Sequence, residues 1–399
     1  MPRAPRAEDS EPPVFGAEFW ERDFGKTDPE VPHQHDPRHW LWKPHDPKFL
    51  TRHKGSRFAR EWSSAAETNY RPSRVLQKVV LVFDVGHSTP ALLKYLERSG
   101  LKYFFIDYDE LTRRGTVDIR FDESETAVWT LDEARLRLED VAAIVWTAPW
   151  WVLFNGTSRP ARGRALEDYL LIRRWSQVLR DLRGLIPPNA IWLPSDPLNG
   201  SQDWQNRIAE FQLARRAGLS VPPTICTNDP AAAVAFLEHH GGRALFRDFG
   251  IPPESLAPKQ VTVEEVRLAA RSLRRSPCTF TKYIEKDYEV RAVVVGDRVF
   301  AVKIDSQASP LLAARLDWRV HDNVHVRWQR MTLPKAVERS MFRLMKSLDL
   351  KWGSFDLIMG RDGRFYFLEV NRPGVSFWLL PFVGLDIARE IACYLKRAL

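Results

Sequence analysis

The chain has 399 residues, 44% apolar and 28% charged, which predicts a soluble protein of two or three domains rather than one. No run of about 18 apolar residues occurs, and Met1 to Pro13 lacks the apolar stretch of a secretory signal, so neither a membrane span nor secretion is expected. Cys226, Cys278 and Cys393 are too scattered for a disulfide framework or a zinc motif, which points to a reducing cytoplasm, and the diffuse net charge of +8 suits acidic or phosphate-bearing partners.

Residues 1–75 hold ten of the 28 prolines, five of the ten histidines and four of the 15 tryptophans, without apolar periodicity. This composition predicts an irregular extension that docks on the body or on a partner. The spacing of His33, His35 and His39 is unremarkable for a metal site. From Lys78 the texture changes. Residues 79–83, 103–107, 141–146 and 191–193 read as strands, with helices over 89–99 and 161–182. Strand–helix–strand order predicts a mostly parallel α/β domain over 76–200. The basic stretch Arg159 to Arg183 reads as a solvated helix face, and Trp150 and Trp151 as core residues or the lip of a peptide groove.

A second block begins near residue 201. Helices are expected at 203–217, from Pro230 with Asn228 or Asp229 as cap, and over 261–273, where Thr262 and Glu265 have capping-box spacing. Residues 242–247 read as a strand. Two hairpins follow: 288–295 with 298–305 through Gly296-Asp297, and 354–359 with 364–370 through Gly360 to Gly363. Helices over 335–347 and 384–397 close the chain. The expected units are 76–200, 201–285 and 286–399 after the extension.

The chemistry concentrates on the last hairpin. Glu369 and Asn371 are two apart and share a strand face, and Asp356 on the paired strand can reach it. Such hard oxygen donors suit Mg²⁺ beside nucleotide phosphates. Taken alone, the pattern also fits an exposed Glu and a turn Asn. Upstream, Lys282, Tyr283, Ile284 and Glu285 form a hinge whose backbone can read a nucleobase, with Glu285 placed for ribose hydroxyls and Arg291 for phosphate oxygens. A solvated hairpin face is the other reading of these charges.

Taken together, Asn206-Arg207, Ala217-Gly218-Leu219, Val221-Pro222, Thr227 to Pro230, the run Tyr283 to Arg291, Ser306-Gln307, Asp317-Trp318-Arg319, Gly353 to Asp356 and Leu368 to Asn371 resemble an ATP-grasp ligase over residues 76–399. The narrower resemblance is to the graspetide, or microviridin-type, ligases that macrocyclise ribosomal peptides, with RimK-like ligases as cousins. It implies a pre-ATP-grasp α/β domain followed by a two-lobed α+β ATP-grasp fold, with ATP between lobes 201–285 and 286–399. It implies Mg²⁺ on Asp356, Glu369 and Asn371, and a nucleotide held by Arg247, Lys282, Tyr283, Ile284, Glu285 and Arg291. Arg291, Lys303 and Arg319 match or approach positions facing the phosphates or the acyl phosphate.

The implied activity is ADP-forming: Asp or Glu side chains of an acidic ribosomal precursor peptide are phosphorylated, then captured by Lys as amides or by Ser or Thr as esters. No nucleic-acid or membrane partner is implied. Relatives often form dimers, and no segment here marks an interface. The chain departs from the pattern at Arg247, where the family usually has lysine, at Pro252, Pro253 and Pro258 in a loop usually rich in glycine, and at Lys282, a position commonly acidic. These departures leave open a non-catalytic module that binds nucleotide or peptide, and a ligase for free amino acids or small acids is a further reading.

Overall fold

The computed structural model describes residues 75–84, 90–107, 115–120, 127–131, 134–147, 183–196, 207–247, 259–318, 326–372 and 383–399, with a few single positions between them. The extension 1–68, the Trp150-Trp151 pair, the loop 248–258 and most of the helix expected over 161–182 lie outside these. Among the described residues no helix is long and apolar enough to cross a membrane.

The first unit is a parallel sheet of β1 (Val79–Asp84), β2 (Lys102–Asp107), β6 (Val141–Trp146) and β7 (Ile191–Leu193), in the order β2-β1-β6-β7. β1 is apolar from Val79 to Phe83, as suits a strand covered on both faces. Val80 and Val82 enter one core, and Val79, Leu81 and Phe83 the other. The second core is roofed by an antiparallel sheet, β3 (Gly115–Ile119), β4 (Ala127–Leu131) and β5 (Ala134–Arg137), which sequence patterning does not predict. These strands are four or five residues long, and charges interrupt the apolar residues of β3 and β5.

The first core holds α1 (Pro90–Arg98) through Leu92, Leu93 and Leu96, and continues without a break into Val293, Val295, Trp352 and the final helix. The α/β unit and the last unit are therefore fused by one core. The backbone adds a tie, since Lys351 donates to the Pro194 carbonyl at 2.8 Å.

α2 (Arg207–Arg216) precedes a four-stranded antiparallel sheet of β8 (Thr224–Thr227), β9 (Arg243–Arg247), β10 (Lys259–Thr262) and β11 (Cys278–Lys282), ordered β10-β9-β11-β8. α3 (Pro230–His239) starts on Asp229, whose carboxylate accepts from the Ala231 N–H at 3.0 Å. The helix expected over 261–273 differs. Thr262 is its extended N-cap, with the full capping box to Glu265, so Val261 cannot be helical and instead pairs with Ala244 in β10. The remainder splits at Ala269 into α4 (Val263–Leu268) and α5 (Ala270–Leu273). This unit has its own small core around Phe246, Phe280, Val261 and Leu237.

The last unit is a five-stranded antiparallel sheet ordered β14-β13-β12-β15-β16: β12 (Lys286–Val295), β13 (Arg298–Ile304), β14 (Trp328–Met331), β15 (Trp352–Gly360) and β16 (Phe365–Asn371). Short α6 (Leu312–Leu316) follows β13, α7 (Lys335–Ser347) precedes β15, and α8 (Ile387–Ala398) ends the chain. Gly296, at φ +57°, makes the two-residue turn between β12 and β13. One sheet face carries Val290, Ala292, Val294, Phe355 and Phe367 and packs on α7 and α2. α2 thus lies in the segment assigned to the preceding lobe yet packs on this sheet, where Glu210 accepts from the Val370 N–H at 3.0 Å. The opposite face joins the first core at one end and carries a polar cluster at the other.

Candidate active site

The polar cluster follows from register. Arg291 on β12 stands opposite Asp356 on β15, and Asp356 opposite Glu369 on β16. Directly paired residues share a face. A bulge helps here: Asp356 pairs with Glu369 but Leu357 pairs with Phe367, so β16 spends one extra residue. That residue lets Phe367 and Val370 both enter the core while Glu369 and Asn371 stand on the face of Asp356.

Arg291 Nη1 donates to both Asp356 carboxylate oxygens at 2.9 and 2.8 Å, and Asn371 Nδ2 donates to Oδ2 at 3.0 Å. Arg291 and Asp356 are buried as an ion pair. The three residues expected to hold a metal thus stand on one face. Two carboxylates and a carboxamide make less than a complete cage, and among the described residues no three His, Cys, Asp or Glu side chains gather as one. Mg²⁺ needs only one or two protein carboxylates and takes its other ligands from phosphate and water, so the set fits it. Arg291 balances the Asp356 carboxylate.

Beyond Arg291 on the same face lies Glu289, which period-two alternation along β12 identifies and a motif reading passes over. Burial pushes its carboxyl pKa up and nearby Asp317 adds to this, while Lys286 and the Ser306 hydroxyl offset part of it. Lys286 Nζ sits 2.9 Å from Glu289 Oε1 as a buried ion pair. The same ammonium donates to the Leu316 carbonyl at 2.9 Å. Gln307 Nε2 donates to Ser306 Oγ at 3.2 Å and to the Arg315 carbonyl at 2.9 Å. The Ser-Gln and Asp-Trp segments therefore close around β12.

The structure gathers other expected residues less tightly. Glu285 is exposed between Arg243 and Arg361, each 3.6 Å away. The Arg243 guanidinium also lies over the Tyr283 ring, 5.3 Å from its centre. Ile284 packs near Gly360, where an added Cβ would sit 3.3 Å from its Cγ2. Arg247 pairs with Thr279 at the end of β9, and its side chain, like all of Arg319, lies outside the described residues.

One expectation is corrected. Lys303 pairs with Val290, so it stands on the helix-covered face, away from Arg291, and its ammonium lies 4.6 Å from the Tyr288 ring centre. The two-residue turn at Gly296 already fixes this pairing, so the signal was present in the sequence. Lys282 pairs with Ala244, which places it on the core side with Phe280. There its charge, after burial and His239, lowers the His240 pKa. The hinge reading of Lys282 rests on its backbone, whose N–H donates to the Pro223 carbonyl at 2.8 Å.

No family model and no curated protein matches the sequence. Solved structures do. The macrocyclase MdnC from Microcystis aeruginosa, bound with precursor peptide MdnA, is similar at 26% identity and TM-score 0.65, over 80% of this chain and 99% of that one. A RiPP-associated ATP-grasp ligase from Chryseobacterium gregarium, in complex with ADP and a leader and core peptide, is similar at 22% identity and TM-score 0.66, over 81% and 98%. The ATP-grasp ligase PsnB, complexed with a phosphomimetic variant of its minimal precursor, Mg and ADP, shares 18% identity at TM-score 0.61, over 81% and 99%. The chain has the fold of these proteins.

Proposed function

We infer that this chain is an ATP-grasp ligase, ADP-forming, and that its substrate is a ribosomally made precursor peptide with acidic side chains. The observation that carries the reading is the Asp356, Glu369 and Asn371 set on one sheet face, with Arg291 holding Asp356, in a fold shared with a peptide-bound macrocyclase at 26% identity. ATP and Mg²⁺ are the cofactors this supports. Mg²⁺ held by the three side chains would neutralise charge on the transferring phosphoryl group.

The residues then divide the work. Asp356, Glu369 and Asn371 fix the cation. Arg291 orients Asp356 and, through its remaining N–H groups, can face phosphate oxygens. Tyr283 and Ile284 border the hinge for the nucleobase, and Glu285 accepts from ribose hydroxyls once it turns from Arg243 and Arg361. Arg247 supplies positive charge where the family has lysine, and Arg319 faces the acyl phosphate. A peptide Asp or Glu carboxylate oxygen attacks the γ-phosphorus, and ADP leaves. A Lys amine or a Ser or Thr hydroxyl then attacks the acyl carbon, phosphate leaves, and the nucleophile's proton passes to solvent or phosphate. Positioning and charge carry such a reaction, and no protein nucleophile is needed. The ordered cysteines are free thiols, in keeping with a reducing cytoplasm.

The test is incubation of the full chain with Mg-ATP and the peptide encoded beside its gene. Peptide-dependent ADP release, with loss of one water mass per crosslink in the mass spectrum, is expected. Ligation of free amino acids or small acids without the peptide would move the assignment to a small-molecule ligase. Tight nucleotide binding with no turnover on any substrate would make the chain a binding module.

A further inference from the structure

Residues 316–318 run as a strap along β12, and three consecutive positions meet the three inward polar residues of that strand in order. The Leu316 carbonyl takes the Lys286 ammonium, Asp317 acts on Glu289, and the Trp318 indole lies beside Arg291. The Arg291 guanidinium carbon is 5.9 Å from the Trp318 ring centre, within cation–π range. Trp318 is itself braced edge-on by Trp328, with ring centres 5.5 Å apart at 87°, and both pack on the first core. Among the described residues the buried Arg291 Nε has no hydrogen-bond partner, and the Nη1 bonds to Asp356 orient the guanidinium. A planar cation held at one end needs a second surface to fix its plane.

We propose that Trp318 is a positioning residue: its indole fixes the plane of Arg291, which in turn holds the Asp356 carboxylate in the geometry that accepts Mg²⁺. The inference rests on the ligase reading for the identity of the cation. Trp318 touches no reacting atom. Its influence reaches the metal through Arg291 and Asp356, along the row Trp328, Trp318, Arg291, Asp356, Asn371 that crosses the sheet from its edge strand to its last strand. The arrangement also ties the metal carboxylate to the segment that leads into Arg319.

The experiment uses the full chain and titrates Mg²⁺ into protein with ADP by calorimetry, without peptide. Trp318→Leu keeps apolar bulk and removes the π face, and Trp318→Phe keeps a π face. Trp318→Leu should raise the half-saturating Mg²⁺ concentration by roughly three- to thirtyfold, and Trp318→Phe should stay within about threefold of wild type. In an Arg291→Lys background, the same Trp318→Leu change should add less than about twofold, because its target is gone. A role confined to packing would lower the melting temperature of Trp318→Leu and leave its Mg²⁺ dependence at the wild-type value, which would overturn the proposal. Should Trp318→Leu fail to fold, Trp318→Met takes its place.

A second readout needs no ligand. The Arg291 Nε–H resonance, assigned by its loss in Arg291→Lys, should move when the indole is removed. An unmoved resonance overturns the coupling. If wild type binds no ADP at any Mg²⁺ concentration, the ligase reading fails, and this resonance alone decides whether Trp318 orients Arg291.

Discussion

The two antiparallel sheets on either side of the hinge treat charge in opposite ways. In the four-stranded sheet, Arg243 stands at the rim, about half exposed, and meets Glu285 at a loose 3.6 Å. In the five-stranded sheet, Lys286, Glu289, Arg291 and Asp356 are all less than 10% exposed and contact one another at 2.8 to 2.9 Å. Exposed pairs are worth up to about 1 kcal/mol and can rearrange around a ligand. Buried ions cost several kcal/mol each to desolvate, so their positions are fixed by the partners that offset that cost. The first sheet can therefore adapt to a nucleotide, whereas the second presents a rigid charge template. A catalytic site benefits from both, because preorganised groups supply rate and adaptable ones permit binding and release.

The largest test of this contrast is Glu369→Gln. It removes the carboxylate proposed to hold the metal beside that template, and peptide-dependent ADP release should fall by on the order of 10²-fold or more, with the melting temperature close to wild type. Normal turnover by this variant would end the metal assignment.

Arg291→Met comes next. It removes the guanidinium that neutralises the buried Asp356 carboxylate and should cost about 3–5 kcal/mol in urea unfolding, whereas Arg243→Met in the other sheet should cost less than about 1 kcal/mol. Equal costs would erase the distinction between the sheets.

A third effect is in pH. The folded Glu289 carboxyl holds its proton to higher pH than it does in the unfolded chain, chiefly through burial. Between those two pKa values the native state binds more protons, so stability should fall as pH rises above the ordinary carboxylate value of about 4.3. Glu289→Gln should flatten that slope in thermal melts recorded across the range. A slope unchanged by the substitution would mean that another group carries it.

The smallest effect belongs to Lys303→Met. Lys303 lies on the other face of the same sheet, so ADP release should change by less than about twofold, and stability by about 0.5–1 kcal/mol from the lost contact with Tyr288. A loss of activity comparable with that of Glu369→Gln would place Lys303 in the site after all.

Much of the architecture is written locally. The apolar run 79–83, the Asp229 and Thr262 caps and the Gly296-Asp297 turn each act through neighbours a few residues away, and the strands and helices form close to where those signals place them. Period-two spacing alone put Glu369 and Asn371 on one face, and the turn at Gly296 was sufficient to exclude Lys303 from Arg291's face. The Asp356 alignment needed more. The bulge opposite Leu357 sets which residues of β16 share its face, and a bulge is chosen by how Phe367 and Val370 fit the core.

Tertiary structure also decided what lies far apart in sequence. It fused the first sheet to the last through α1 and α8, laid α2 on the five-stranded sheet, and brought Trp318 beside Arg291. Sequence periodicity determined which way each side chain leaves its own strand or helix. Which surface it then meets depends on packing among segments tens to hundreds of residues apart, and no local pattern of residues carries that information.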